Sequence, residues 1–203
     1  MNNMIEGLRS EVIDLLKYVW PTIVISIIIA ILLRVTDVIV NKKEFIFHEE
    51  LLKLCFIVYI LCLFYIVTFQ DVGWSSHNFI PFKEILRYDF GSGMFYKNIF
   101  GNMLLFLPYG IFIGKYVKLN DKVAVLLIAF ITSFSIETIQ LLIGRVFDVD
   151  DIILNIIGCL IGFYLYKAFK NSVDKLPSFM QKNIVWDIIS LLIFGGLVWI
   201  LLP

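Results

Sequence analysis

The chain has 203 residues, 60% of them hydrophobic, with 17 basic against 17 acidic side chains and a mean hydropathy of +0.91. A soluble domain carries roughly 45–50% apolar residues, so this composition excludes an ordinary globular fold and predicts an integral membrane protein. The balanced charge, with no basic cluster interleaved with exposed aromatics, argues against a nucleic-acid partner. Cys55, Cys62 and Cys159 all fall inside apolar segments, without C-x-x-C spacing, which argues against a disulfide framework or a thiolate metal site and for buried free thiols.

In chain order, residues 1–17 place Ile5, Leu8, Val12 and Leu15 at helical spacing with Glu6, Arg9, Glu11 and Asp14 between them. That pattern predicts an amphipathic helix lying in the membrane interface. It is too acidic for a signal-peptide n-region, and no small-residue cleavage site follows, so the first apolar run is expected to stay as an anchor. Residues 18–203 then read as a transmembrane bundle with six apolar spans at about 18–40, 51–69, 98–117, 122–143, 151–169 and 184–203, each near the roughly 20 residues needed to cross the hydrocarbon core. The expected fold class is an all-α polytopic membrane bundle of about six helices preceded by the interfacial helix. Trp186 and Trp199 stand near opposite ends of the last span as interfacial anchors, with Asp187 close enough to one end to reach the headgroups.

With six spans, the first-to-second, third-to-fourth and fifth-to-sixth connections share one face. That face receives Arg34, Lys42, Lys43, Lys53, Lys115, Lys118, Lys122, Lys167, Lys170, Lys175 and Lys182. The opposite face receives Arg9, Lys17, Lys83, Arg87, Lys97 and Arg145, so eleven basic residues against six place the first face in the cytoplasm. In the third span Pro108 removes an amide hydrogen and frees the Leu104 carbonyl, which predicts a kink. Gly110 with Gly114, and Gly158 with Gly162, form small-xxx-small pairs suited to close helix packing.

The polar residues concentrate in SFSIETIQLLIGRVFDVDDIILNIIGCLIG, residues 133–162. Glu137 sits inside an apolar span, where an ionisable group marks a functional site by default. Gln140 follows at i+3 on nearly the same face. Asp151 and Asn155 are spaced i and i+4 at the start of the next span, and Asn102 lies one turn into the third. All five positions fall at the outward end of their helices, so three polar faces are expected to meet at one depth around a partly wet pocket.

Between the spans, Arg145 precedes Asp148, Asp150 and Asp151. The guanidinium fork suits a carboxylate or phosphate, and aspartates preceding a helix also cap its free amides. Three aspartates exceed one cap, which leaves a pairing network with Arg145 or an oxygen site for a divalent cation at Asp148, Asp150 and Asp151. Carboxylate clusters without a recognisable loop are mostly ion-pair networks, so no cofactor is expected. In the long connection between the second and third spans, His77 is the candidate acid or base. The aromatics and Pro81 of that connection predict a segment folded over the membrane surface. No G-x-S-x-G, H-E-x-x-H or Walker loop occurs.

HNFIPFKEI, GNMLLFLPYGIFI and the 133–162 block, in that order, resemble the three sequence blocks of the VanZ-like membrane proteins. The resemblance covers roughly residues 77–162 and places a VanZ-like core at about 77–170. Its recurring polar positions fall here on Asn78, Pro81 and Phe82, on Asn102 and Pro108, and on Glu137, Gln140, Arg145, Asp148, Asp151 and Asn155. The resemblance implies the plasma membrane of a bacterium and an association with tolerance of teicoplanin, a lipoglycopeptide that binds cell-wall precursors outside the membrane. It does not imply a reaction.

Three functions follow as expectations. In the first, an outward pocket of Asn78, Lys83, Asn102, Glu137, Gln140, Arg145 and Asn155 binds a lipid headgroup, a lipid-linked cell-wall precursor or a lipoglycopeptide. Arg145 takes the anionic group there, oriented by the aspartates. In the second, an enzyme modifies a lipid-linked glycan or phosphate, with Glu137 as general acid or base and Asp148 or Asp151 as its ionised counterpart. In the third, the cluster only locks the third, fourth and fifth spans together.

Overall fold

The computed structural model of the chain describes residues 2–69, 77–117 and 121–201. Six helices account for most of them: α1 (Asn2–Asn41), α2 (Phe47–Phe69), α3 (Gly93–Val117), α4 (Lys122–Leu142), α5 (Val149–Val173) and α6 (Asn183–Leu201). Among the described residues there is no strand, and the lone β-bridge joins Asn78 to Asp148. The all-α membrane bundle expected from composition is therefore the fold. The stretches Lys17–Asn41, Phe47–Val67, Gly93–Val117, Lys122–Leu142 and Val149–Val173 are long and apolar enough to cross a bilayer. The described apolar part of α6, Asn183–Leu197, is shorter. The amphipathic stretch 1–17 is not a separate element, because α1 continues from it into the first span without a break and carries Pro21 inside.

The chain forms two compact units. The first comprises Met1–Tyr65 and Asp174–Pro203, the second Ile66–Val173. In the first unit, charges near the end of α1 and the start of α2 pair with each other. Arg34 donates to Asp37 at 2.6 Å and to Glu50 at 2.8 Å, and Lys53 donates to Glu50 at 2.9 Å. Asp187 does not simply reach out to the headgroups as expected. Its carboxylate accepts the His48 backbone N–H at 2.9 Å and lies 2.8 Å from His48 Nδ1.

The second unit is built on α3, α4 and α5. Met103 and Leu107 of α3 lie against Gly158 and Gly162 of α5, so contacts advance together along both helices and the two run parallel. The return crossing, α4, is antiparallel to α5: Ser133 meets Asn155 and, one turn later, Glu137 meets Asp148. The glycine pairs do what their spacing predicts. A Cβ at Gly158 would stand 2.1 Å from the Met103 carbonyl oxygen, and one at Gly162 2.0 Å from that of Leu107. Backbones touch there because no side chain intervenes. Below the polar end, Phe106, Ile113, Val125, Ala129, Cys159 and Phe163 make the core. α4 buries Val125, Ala129, Ser133 and Glu137, one residue per turn, a stripe of small side chains ending in a carboxylic acid. Pro108 lies in the α-helical middle of α3, Gly101–Phe112, which is flanked by wider π turns at Tyr96–Phe100 and Ile113–Val117.

Candidate functional site

The site is assembled where α4 turns into α5. α4 ends at Leu142, Gly144 turns the chain at φ +86°, and α5 starts at Val149. Asp148 caps α5: its Oδ1 accepts the Asp150 N–H at 2.9 Å and the Asn78 side-chain amide at 2.8 Å. Its own N–H donates to Glu137 Oε2 at 3.0 Å, which ties the helix start to the buried acid of the preceding span. Burial raises the Asp148 carboxyl above its ordinary pKa, against the two hydrogen bonds that favour its ionised form.

The segment from residue 77 onward is stitched to the same turn. Asn78 N–H donates to the Phe147 carbonyl at 2.8 Å, Val149 N–H to the Asn78 carbonyl at 3.0 Å, and Phe147 N–H to His77 Nδ1 at 3.1 Å. The expected acid or base, His77, is thus an acceptor holding the turn. Residues 70–76 of the same connection lie outside the described residues. Asp150, 1% exposed, accepts the backbone N–H groups of Phe82, Glu84 and Ile85 through its carboxylate, with the Glu84 contact at 2.8 Å and the Ile85 contact at 3.2 Å. Phe82 is held at φ +66°, a left-handed conformation that costs a residue with a Cβ roughly 1–2 kcal/mol. Charge-assisted bonds to the buried carboxylate offset that cost.

This geometry settles the roles of several expected residues. The oxygens of Asp150 accept the N–H groups of the turn at Phe82–Ile85. Among the described residues no group of three or more His, Cys, Asp and Glu side chains is arranged around a metal position. Arg145 is not the partner of the aspartates. Its guanidinium donates to the carbonyls of Val67 and, at 3.4 Å, Ile66, where α2 runs out of amide partners. Gln140 donates to the same Val67 carbonyl at 3.3 Å. Both side chains therefore terminate α2. Burial lowers the Arg145 pKa, while Glu137 and Asp151 act on it in the opposite sense, so they are its electrostatic neighbours without being its ion pairs. Lys83 is exposed on the turn held by Asp150.

The remaining polar groups do converge. Asn102 of α3 donates its side-chain amide to Asp151 of α5, and Asn155, one turn further along α5, donates to Ser133 of α4 at 3.0 Å. Ser133 is completely buried and was not among the expected residues. Its place four residues before Glu137, on the same face, was the available signal. Tyr88 is a second addition. Burial raises its phenol pKa, Glu84 adds to the effect, and Asp151 and Asp148 lie close enough to contribute. Asp150 spends both oxygens on N–H donors, whereas Asp148 accepts only at Oδ1, Glu137 only at Oε2 and Asp151 only at Oδ1. Among the described residues the one buried side-chain polar atom without a partner is Arg34 Nε. The second oxygens of Glu137 and Asp151 have no hydrogen-bond donor among the described residues. An apolar hollow of about 450 Å³, lined by Ile157, Leu160, Ile161 and Tyr164, lies elsewhere on α5 and contains none of these groups.

Parallel α3 and α5 in direct contact, with α4 returning antiparallel against α5 and acids and amides joining them at one end, define a multi-pass membrane protein with a buried carboxylate cluster. The VanZ/LLP1 family model matches residues 56–170, more than half of the chain, and the chain belongs to that family. The matched region includes α3, α4, nearly all of α5 and the whole cluster. No curated protein and no solved structure matches the chain.

Proposed function

We propose that this VanZ/LLP1 family protein binds the polar part of a cell-envelope molecule at the extracytoplasmic face of a bacterial plasma membrane. By holding a lipid headgroup, a lipid-linked cell-wall precursor or a lipoglycopeptide there, it contributes to glycopeptide tolerance or envelope homeostasis. The observation that carries this reading is the pair of unspent carboxylate oxygens on Glu137 and Asp151, on adjacent helices with Asn102 and Tyr88 nearby. Such a cluster is rich in acceptors, and the Arg145 guanidinium is committed to α2. It favours a ligand group that donates hydrogen bonds, a sugar hydroxyl or an amine, over the anionic group expected to sit on Arg145.

The test is the paired replacement Glu137→Gln and Asp151→Asn in cells whose teicoplanin susceptibility depends on the protein. Each variant keeps an oxygen for its present N–H donor, so membrane level and thermal unfolding should stay near wild type. Tolerance should fall towards that of cells lacking the protein. Full tolerance with both acids neutralised would remove the binding reading. A catalytic reading draws on the Coulombic influence of Asp151 and Asp148 on Glu137, two acids beside a third. It predicts a modified lipid-linked glycan in lipid extracts of wild-type cells that is missing from cells carrying Glu137→Gln.

A further inference from the structure

The segment between residue 78 and the start of α3 presents a row of large apolar side chains that its own fold does not cover. Phe79 is 66% exposed, Ile80 62%, Leu86 80% and Phe90 90%, and Phe82 and Met94 are also exposed. An uncovered set of this size on a soluble loop would be an aggregation liability. Here its depth is fixed. Asn78 exchanges backbone hydrogen bonds with Phe147 and Val149, and Asp150 takes the N–H groups of Phe82, Glu84 and Ile85. Val149 is also the first residue of the crossing stretch Val149–Val173, so the segment is bonded to the end of a membrane span.

We infer that residues 79–94 form a wedge seated in the lipid interface, with Phe79, Ile80, Phe82, Leu86 and Phe90 directed into the boundary between headgroups and acyl chains and Asp150 holding the wedge at that depth. The partner is the bilayer itself. Three observations select it over a protein partner. The segment is continuous with α3, whose stretch Gly93–Val117 is long and apolar enough to cross. The backbone N–H groups of Ile80, Phe82, Glu84 and Ile85 are satisfied inward by Asn78 and Asp150, as suits an element entering a low-dielectric region. The exposed charges Lys83 and Arg87 stand beside Leu86, and their long apolar stems let the charged ends stay at headgroup level. Phe82 supports the same reading: a strained left-handed backbone at an exposed phenylalanine is retained where aiming that ring outward has a use.

The experiment uses the full chain in vesicles of phosphatidylcholine with phosphatidylglycerol. Cys55 and Cys62 are replaced by serine, Cys159 is left in place because it is buried, and nitroxide labels are attached at Leu86→Cys or Phe90→Cys. Collision of the label with oxygen is compared with collision with a water-soluble nickel chelate. The references are Leu127→Cys, on the exposed face inside the span Lys122–Leu142, and Lys175→Cys, in the connection after α5. Oxygen-to-nickel ratios several-fold above that at 175 and approaching that at 127 are expected at both wedge positions. Ratios equal to that at 175 would overturn the wedge. Adding Asp150→Ala should return both labels to the ratio at 175 while the label at 127 stays unchanged. Labels that keep their lipid-like ratio in that background would overturn the anchoring role of Asp150.

Discussion

Asp150 places a carboxylate where the backbone of another segment supplies the compensating donors. The N–H groups of Phe82, Glu84 and Ile85 converge on it, and the Asn78 amide stands 3.4 Å away. Asn at this position would keep the volume but turn one oxygen into an N–H₂ facing N–H groups. Asp150→Asn should therefore cost about 2–3 kcal/mol, the worth of hydrogen bonds to a charged acceptor, measured as thermal unfolding in detergent micelles. Asp148 behaves differently, because burial raises its pKa in the folded protein. Its folded value lies above the unfolded value of about 4, so its contribution to stability is full below about pH 4 and is lost as pH rises through the folded value. A pH series of unfolding temperatures should show that decline in the wild type. Asp148→Asn, which keeps the acceptor for Asn78 and Asp150, should make it shallower, the remaining slope belonging to the other buried acids of the cluster. In the sequence alone, the three aspartates can be counted but not told apart. Sequence spacing does not reveal that one caps α5, one serves a turn more than sixty residues earlier and one faces Asn102.

At the scale of elements, the hydropathy pattern marks six apolar runs, and five of them are helices long enough to cross while the described apolar part of the sixth is shorter, because burial in lipid is decided by composition and length. The glycine pairs were equally legible, since a missing Cβ at i and i+4 has one structural use in such a helix. Gly158→Ala should accordingly destabilise by about 2–3 kcal/mol, because the new methyl would stand 2.1 Å from a backbone carbonyl oxygen that cannot move aside. Gly195→Ala in α6, where a Cβ would meet nothing within 4 Å, should leave unfolding unchanged or raise it slightly. Comparing the two under identical detergent conditions separates close packing from helix propensity. What the pattern could not supply was the direction of a long side chain. Arg145 was read as partner to the acids that follow it, and it turns instead to the open carbonyls of α2, a contact between residues 78 positions apart. No local spacing encodes such a contact.

For the whole molecule, the decisive quantity is which side of the bilayer the α4–α5 connection faces. Basic residues number eleven on one face and six on the other if the crossings alternate, and this count does not depend on the shorter helix α6, because no Lys or Arg follows Lys182. Whether α6 crosses or returns therefore moves the C-terminus but not the bias that orients α1 to α5. A protein holding an envelope headgroup near Glu137 must open that end away from the cytoplasm. In intact cells, a membrane-impermeant maleimide should label Ile143→Cys, exposed at the end of α4, and leave Lys175→Cys unlabelled until the membrane is permeabilised. Cys55 and Cys62 are replaced in both variants. The reverse pattern would put the acids on the cytoplasmic side, where a ligand outside the membrane cannot reach them, and the proposed binding role would fail even with every contact in the cluster intact.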